Sequence, residues 1–108
     1  MINDMSYSRD DFKNDIIKGL RLAENELQGR KNKIMGEATL EQLENIVIPE
    51  LSMLLAKVNA GDALPPNNQK DRYLASFGLA FKEWGWDMQN PTVLYLQLLK
   101  IHENYRKI

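Results

Sequence analysis

The sequence predicts an all-α domain, a compact up-and-down bundle of four main helices with the second kinked or split at Pro49. Three observations lead there. Apolar residues recur at steps of three and four over most of the chain. No segment alternates apolar and polar residues with the period of a strand. The connections at 29–38 and 85–90 are short, which favours antiparallel neighbours. With 108 residues, residues 1–108 read as one domain, residues 1–7 being a flexible N-terminus.

The first helix opens at Ser8, whose hydroxyl can accept an early backbone N–H, and Asp10 and Asp11 suit the positive end of a helix. Phe12, Ile16, Leu20, Ala23 and Leu27 then share a face, and Gly29 reads as the stop. The second carries a capping box, Thr39 with Gln42, and a stripe of Leu40, Leu43, Val47, Leu51, Leu54 and Val58 that keeps its phase through Pro49. That phase favours a kink over a break, although proline is also at home at the first position of a new helix. Gly61 ends it, and residues 62–70 form a loop around Pro65-Pro66. The third helix is expected over 71–84 with an aromatic core stripe of Tyr73, Phe77, Phe81 and Trp84. Asn90-Pro91 reads as the start of the fourth, which buries Leu94, Leu98, Ile101, Tyr105 and Ile108.

Composition removes several chemistries. The absence of cysteine excludes disulfides, thiolate metal sites and cysteine nucleophiles. His102 is the one histidine, so no site can use two imidazoles, and its place near a helix C-terminus favours a structural role over that of a base. No glycine-bracketed serine, EF-hand pattern or phosphate-cradling loop occurs. The expectation is a non-enzymatic protein with no metal and no cofactor. A net charge of −1 gives no general field toward nucleic acid, and Arg30, Lys31 and Lys33 read as a solvated connection. No signal-peptide pattern opens the chain and no apolar run approaches a bilayer span, so a cytoplasmic protein without membrane contact is expected.

Surplus apolar surface points instead to a protein partner. Beside the core stripe of the second helix runs a line of Glu37, Glu41, Glu44, Ile48 and Leu55, acidic at its start and apolar at its end. It reads as an interface with a charged rim or as a solvated flank whose Ile48 and Leu55 widen the core. Tyr95, Leu99, His102 and Arg106 form a second line on the fourth helix, the face a homodimer would use. At the junction Trp86 either caps the end of the bundle or, with Asp87 beside it, anchors a partner.

Pro49-Glu50-Leu51, the Pro65-Pro66 loop and the run Trp84-Gly85-Trp86-Asp87-Met88-Gln89-Asn90-Pro91-Thr92 give residues 37–108 an organisation that resembles small all-helical immunity proteins of bacterial toxin–immunity pairs. The resemblance implies a cytoplasmic protein that binds one cognate toxin domain and blocks it by occlusion. Glu37, Glu41 and Glu44 would supply its acidic surface; the near-neutral total charge departs from that pattern. The contact set is then Glu37, Glu41, Glu44, Ile48, Leu55, Trp86 and Asp87. The alternative is a structural homodimer or adaptor with no toxin partner.

Overall fold

Ser8 starts the first helix as its sequence dictates. In the computed structural model, which describes residues 7–108, α1 spans Arg9–Lys31. The Ser8 hydroxyl accepts the Asp11 N–H at 3.1 Å, and the Asp11 carboxylate accepts the Ser8 N–H at 2.9 Å. Two otherwise orphaned donors are thereby satisfied. Phe12, Ile16 and Ala23 are buried from this helix, while Leu20 and Leu27 pack at the edge of the core. The helix does not stop at Gly29. Arg30 ties the last turn to the connection at 32–39, donating to Ala38 O at 2.7 Å and Ile34 O at 2.8 Å and pairing with Glu26. The left-handed residue that turns the chain is Lys33, at φ 64°. Of the N-terminal stretch expected to be free, residues 1–6 lie outside the described residues. Tyr7 is packed against the core, and its hydroxyl donates to Asp15.

The second helix, α2, covers residues 40–60 and neither splits nor restarts at Pro49. It begins as a single α turn, Leu40–Gln42, capped by Thr39. It widens into a π segment over Leu43–Val47 and continues as regular helix over Ile48–Ala60. The Ile48 N–H reaches back five residues to Leu43 O. Proline lacks an N–H and its ring crowds the carbonyl four residues earlier, so a wider turn just before it relieves that clash. The successive steps of four in Leu43, Val47 and Leu51 keep all three buried across the wide turn. Gly61 ends the helix at φ 73°, a conformation that costs glycine little.

The interruption expected near Pro49 falls later in the chain. A 3-10 turn, Gln69–Asp71, is followed by extended backbone at 72–74, and α3 spans only Ala75–Lys82. Its buried residues are small, Ser76, Gly78 and Ala80, with Leu74 just ahead of it. The expected aromatic stripe faces outward instead: Tyr73 is 44% and Phe81 56% exposed, and Phe77 and Trp84 are half-buried. Small side chains let α3 approach its neighbours closely, and this outweighs burial of the rings. The last helix, α4, spans Val93–Tyr105, starting after Thr92 rather than at Pro91 because the Thr92 hydroxyl accepts the Tyr95 N–H at 3.1 Å.

These four helices form the predicted up-and-down bundle. Arg9 at the start of α1 donates to Asp62 O beyond the end of α2, at 3.0 Å, so the two run antiparallel. Phe12 stacks on Tyr105 near the end of α4, which places α4 antiparallel to α1 as well. Residues 75–76 lie against Glu50, and Trp86 lies against Gln42, so the segment from α3 to the junction descends α2 in reverse. The helix α1 touches both α2 and α4, and α3 closes on α4.

The crossing is tightest at Gly19. A Cβ there would stand 2.9 Å from Ile101 Cδ1 and 3.2 Å from Leu51 Cδ1. Gly19→Leu should therefore destabilise the fold by about 2 kcal/mol through overpacking, read as a lower midpoint in urea with an unchanged slope.

Candidate functional site

Two surfaces gather the polar and aromatic residues of the chain. The first lies between α3 and α4. Phe77 stacks on Tyr95 at a centroid distance of 5.6 Å and on His102 at 4.6 Å, while Phe81 stacks on Phe77 at 6.4 Å. Tyr73 meets His102 edge-on at 4.7 Å. The imidazole is thus in contact with two rings. Its Nδ1 accepts the Leu74 N–H at 3.1 Å, so the ring proton sits on Nε2. Burial pushes the His102 pKa below its usual 6.5, and Arg106 pushes in the same direction. An open groove of about 620 Å³ runs beside this cluster, bordered by Phe77, Leu99, His102, Glu103 and Arg106 among others.

Along α4 the outward strip continues through Leu96, 49% exposed, to Val93, 63% exposed. Spacings of three place Val93, Leu96 and Leu99 on one side of the helix. Tyr73, Phe81 and Leu96 are the large exposed apolar side chains of the α3–α4 face, while Val93 borders a groove with Leu22 and Glu26 of α1.

The second surface is the junction after α3. Trp86 is buried, in tilted contact with Trp84 at 5.4 Å and edge-on to Tyr95 at 6.4 Å. Its indole N–H donates to Gln42 Oε1 at 3.3 Å. Of the two roles the sequence left open, the structure gives Trp86 that of an end cap, and the exposed anchor is corrected. Asp87 beside it is exposed. Its carboxylate accepts the N–H groups of Gln89 at 2.8 Å and Asn90 at 3.2 Å, which hold its pKa below the usual carboxylate range and shape the turn into α4.

The remaining predicted residues divide between surface and core. Glu37 is half-buried, with Oε2 accepting the Asp87 N–H at 2.6 Å and Oε1 buried with no protein partner. Glu41 and Glu44 are exposed on α2. Ile48 and Leu55 pack against the core, so their side of that line widens the core. On the proposed dimer line Tyr95 is a correction: it is 7% exposed beneath Phe77 and Trp86, and burial raises its pKa. Leu99 and His102 are half-buried, the latter already engaged by Leu74 N. Arg106 is exposed, with Nε donating to Arg72 O at 3.2 Å.

Sequence reasoning missed Glu50 and Arg72 as organising residues and took the aromatic face for core. A signal for the second was present. Ser76 and Ala80 stand four apart, a small-residue stripe parallel to Phe77 and Phe81, and such stripes mark close helix approach. No group of three or more potential metal ligands occurs among the described residues, and no helix among them is long and apolar enough to cross a membrane. Compared with known proteins, the chain matches no family model, no curated protein and no solved structure.

Proposed function

We propose that this chain is a non-enzymatic protein-binding module of the cytoplasm that docks its partner on the α3–α4 face. One observation carries the reading: Tyr73, Phe81 and Leu96 are each at least 44% exposed on adjoining elements. A patch of large apolar side chains beside charged residues is the composition of an interface centre and its rim. The only imidazole of the chain is occupied as a hydrogen-bond acceptor, which supports binding over acid–base chemistry.

In its most specific form the partner is a toxin domain, inhibited by occlusion, as the resemblance to immunity proteins implies. Glu41 and Glu44 would then steer the encounter from the neighbouring surface. A second reading is supported by the spacing of Val93, Leu96 and Leu99. The strip is symmetric about Leu96, so a second copy could lay Leu99 on Val93 across a two-fold axis.

Capture with the tagged protein from its host, compared with Phe81→Glu and Leu96→Glu variants, separates these. A stoichiometric partner lost in both variants, with circular dichroism unchanged, is the expected result and locates the interface. A partner retained by both removes the α3–α4 face from the reading. Bait alone, together with a dimer by light scattering that Leu96→Glu dissociates, replaces it with the homodimer.

A further inference from the structure

We propose that His102 is a pH-sensitive latch on the N-terminal end of α3: the neutral ring holds the extended 72–74 segment against α4, and protonation releases it. The donor geometry at the helix start supports this. Three consecutive backbone N–H groups open α3, and none is satisfied within the helix. Leu74 donates to His102 Nδ1 at 3.1 Å, Ala75 to Glu50 Oε2 at 2.7 Å and Ser76 to Glu50 Oε1 at 2.8 Å. Leu74, the cap residue, has no side-chain oxygen to offer. The first of these bonds needs a lone pair on Nδ1. A protonated imidazole has none, since both ring nitrogens then donate, and it would turn an N–H toward another N–H.

The surroundings do not repair that clash. Tyr73 packs edge-on to the ring and Phe77 stacks on it. Glu50 faces it from α2, and Glu103 and Arg106 face it from its own helix. Lys82 of α3 lies over the Tyr73 ring at 6.0 Å. The two carboxylates favour the charged ring, but burial and Arg106 outweigh them, and the pKa lies below 6.5. A histidine whose pKa falls on folding binds its proton more readily in the unfolded or opened segment. The latch is therefore at full strength above about pH 6.5 and weakens as pH falls through the lower folded value. The segment it releases carries Tyr73 and leads into Phe77, so the aromatic face is the part of the molecule that loosens.

Amide hydrogen exchange followed by NMR at pH 7.5 and 5.0, each normalised to the intrinsic rate, tests the latch. Protection at Leu74, Ala75 and Ser76 is expected to be lost at the lower pH relative to Ile16 and Leu51, because protonation removes the acceptor of the Leu74 N–H. In His102→Asn, whose side-chain oxygen takes the place of Nδ1 and does not titrate, that pH dependence should vanish. Equal relative protection at both pH values in the unmodified protein overturns the proposal, as does a His102→Asn variant that keeps the full pH dependence. The 15N shifts of the histidine ring give an independent reading in the unmodified chain. A neutral ring protonated on Nε2 supports the latch, and one protonated on Nδ1 overturns it.

Discussion

Replacing Arg72 with methionine is expected to lower stability by about 3–5 kcal/mol, the largest effect of any single polar substitution in this chain. The side chain is 5% exposed and is bonded to backbone alone on every arm. Its Nε donates to Pro66 O at 3.0 Å and its Nη2 to Leu64 O at 2.9 Å. Its Nη1 donates to Tyr105 O at 3.3 Å and Ile108 O at 2.5 Å, while the guanidinium lies over the Tyr105 ring. One planar group thus fastens the loop at 64–66 to the last turn of α4. Methionine fills much of the space and leaves those acceptors bare, at about 1–3 kcal/mol for each of the two buried ones, Leu64 O and Tyr105 O, before water re-enters. For a domain of this size the unfolding midpoint should drop by roughly 12–40 °C, taking about 4–8 °C per kcal/mol. Arg72→Lys should recover little, because an ammonium offers a point charge where the site needs a fork. Thermal and urea unfolding of both variants checks this; a lysine variant within about 1 kcal/mol of the parent would show that charge, not shape, holds the clamp.

The residues that could not be read from the sequence share a physical property with Arg72: their partners are distant. The capping boxes at Ser8 and Thr39 close over three residues and are legible as spacing. The stripes of α1 and α2 are legible because burial there follows apolar character, with Phe12, Ile16, Leu43 and Leu51 fully covered. In α3 that rule reverses. Its contact face is set by how near its backbone comes to its neighbours, so Ser76 and Ala80 are buried while Phe81 is not. Tyr73 folds back over Gly78, where a Cβ would stand 2.3 Å from its Cε1, and so leaves the core stripe altogether. Periodicity alone marks a face but does not say which of two faces turns inward when one is small and the other aromatic. The same holds at the candidate site. Leu99 and Arg106 lie where helical spacing puts them, on or near the surface, but the burial of Tyr95 depends on Trp86 and Phe77 arriving from other elements. The π segment before Pro49 is a third case: the stripe keeps its phase, so a widened turn and a kinked one have the same apolar signature.

Glu50→Ala is expected to cost about 2–3 kcal/mol and to unravel the start of α3 before the rest of the bundle melts. Its carboxylate accepts the Ala75 N–H at 2.7 Å, the Ser76 N–H at 2.8 Å and the Ser76 hydroxyl at 2.6 Å, across 25 or 26 residues of sequence. These are charge-assisted bonds at the positive end of a helix, and the capping role normally taken by a neighbouring serine or aspartate is here supplied by another helix. The carboxylate is partly solvated, so the loss stays below the sum of three such bonds. Glu50→Gln keeps one oxygen and should lose about 1 kcal/mol, and Ser76→Ala, which removes only the hydroxyl, about the same. The double variant separates capping from packing. Because the hydroxyl bond needs both groups, Glu50→Ala and Ser76→Ala together should cost less than their sum, by about 0.5–1 kcal/mol. Strict additivity would mean that Ser76 is buried for its size alone and that Glu50 acts only on the backbone. A Glu50→Ala variant as stable as the parent would remove the interhelical cap entirely, and with it the reason α3 can start behind a leucine that has no capping oxygen of its own.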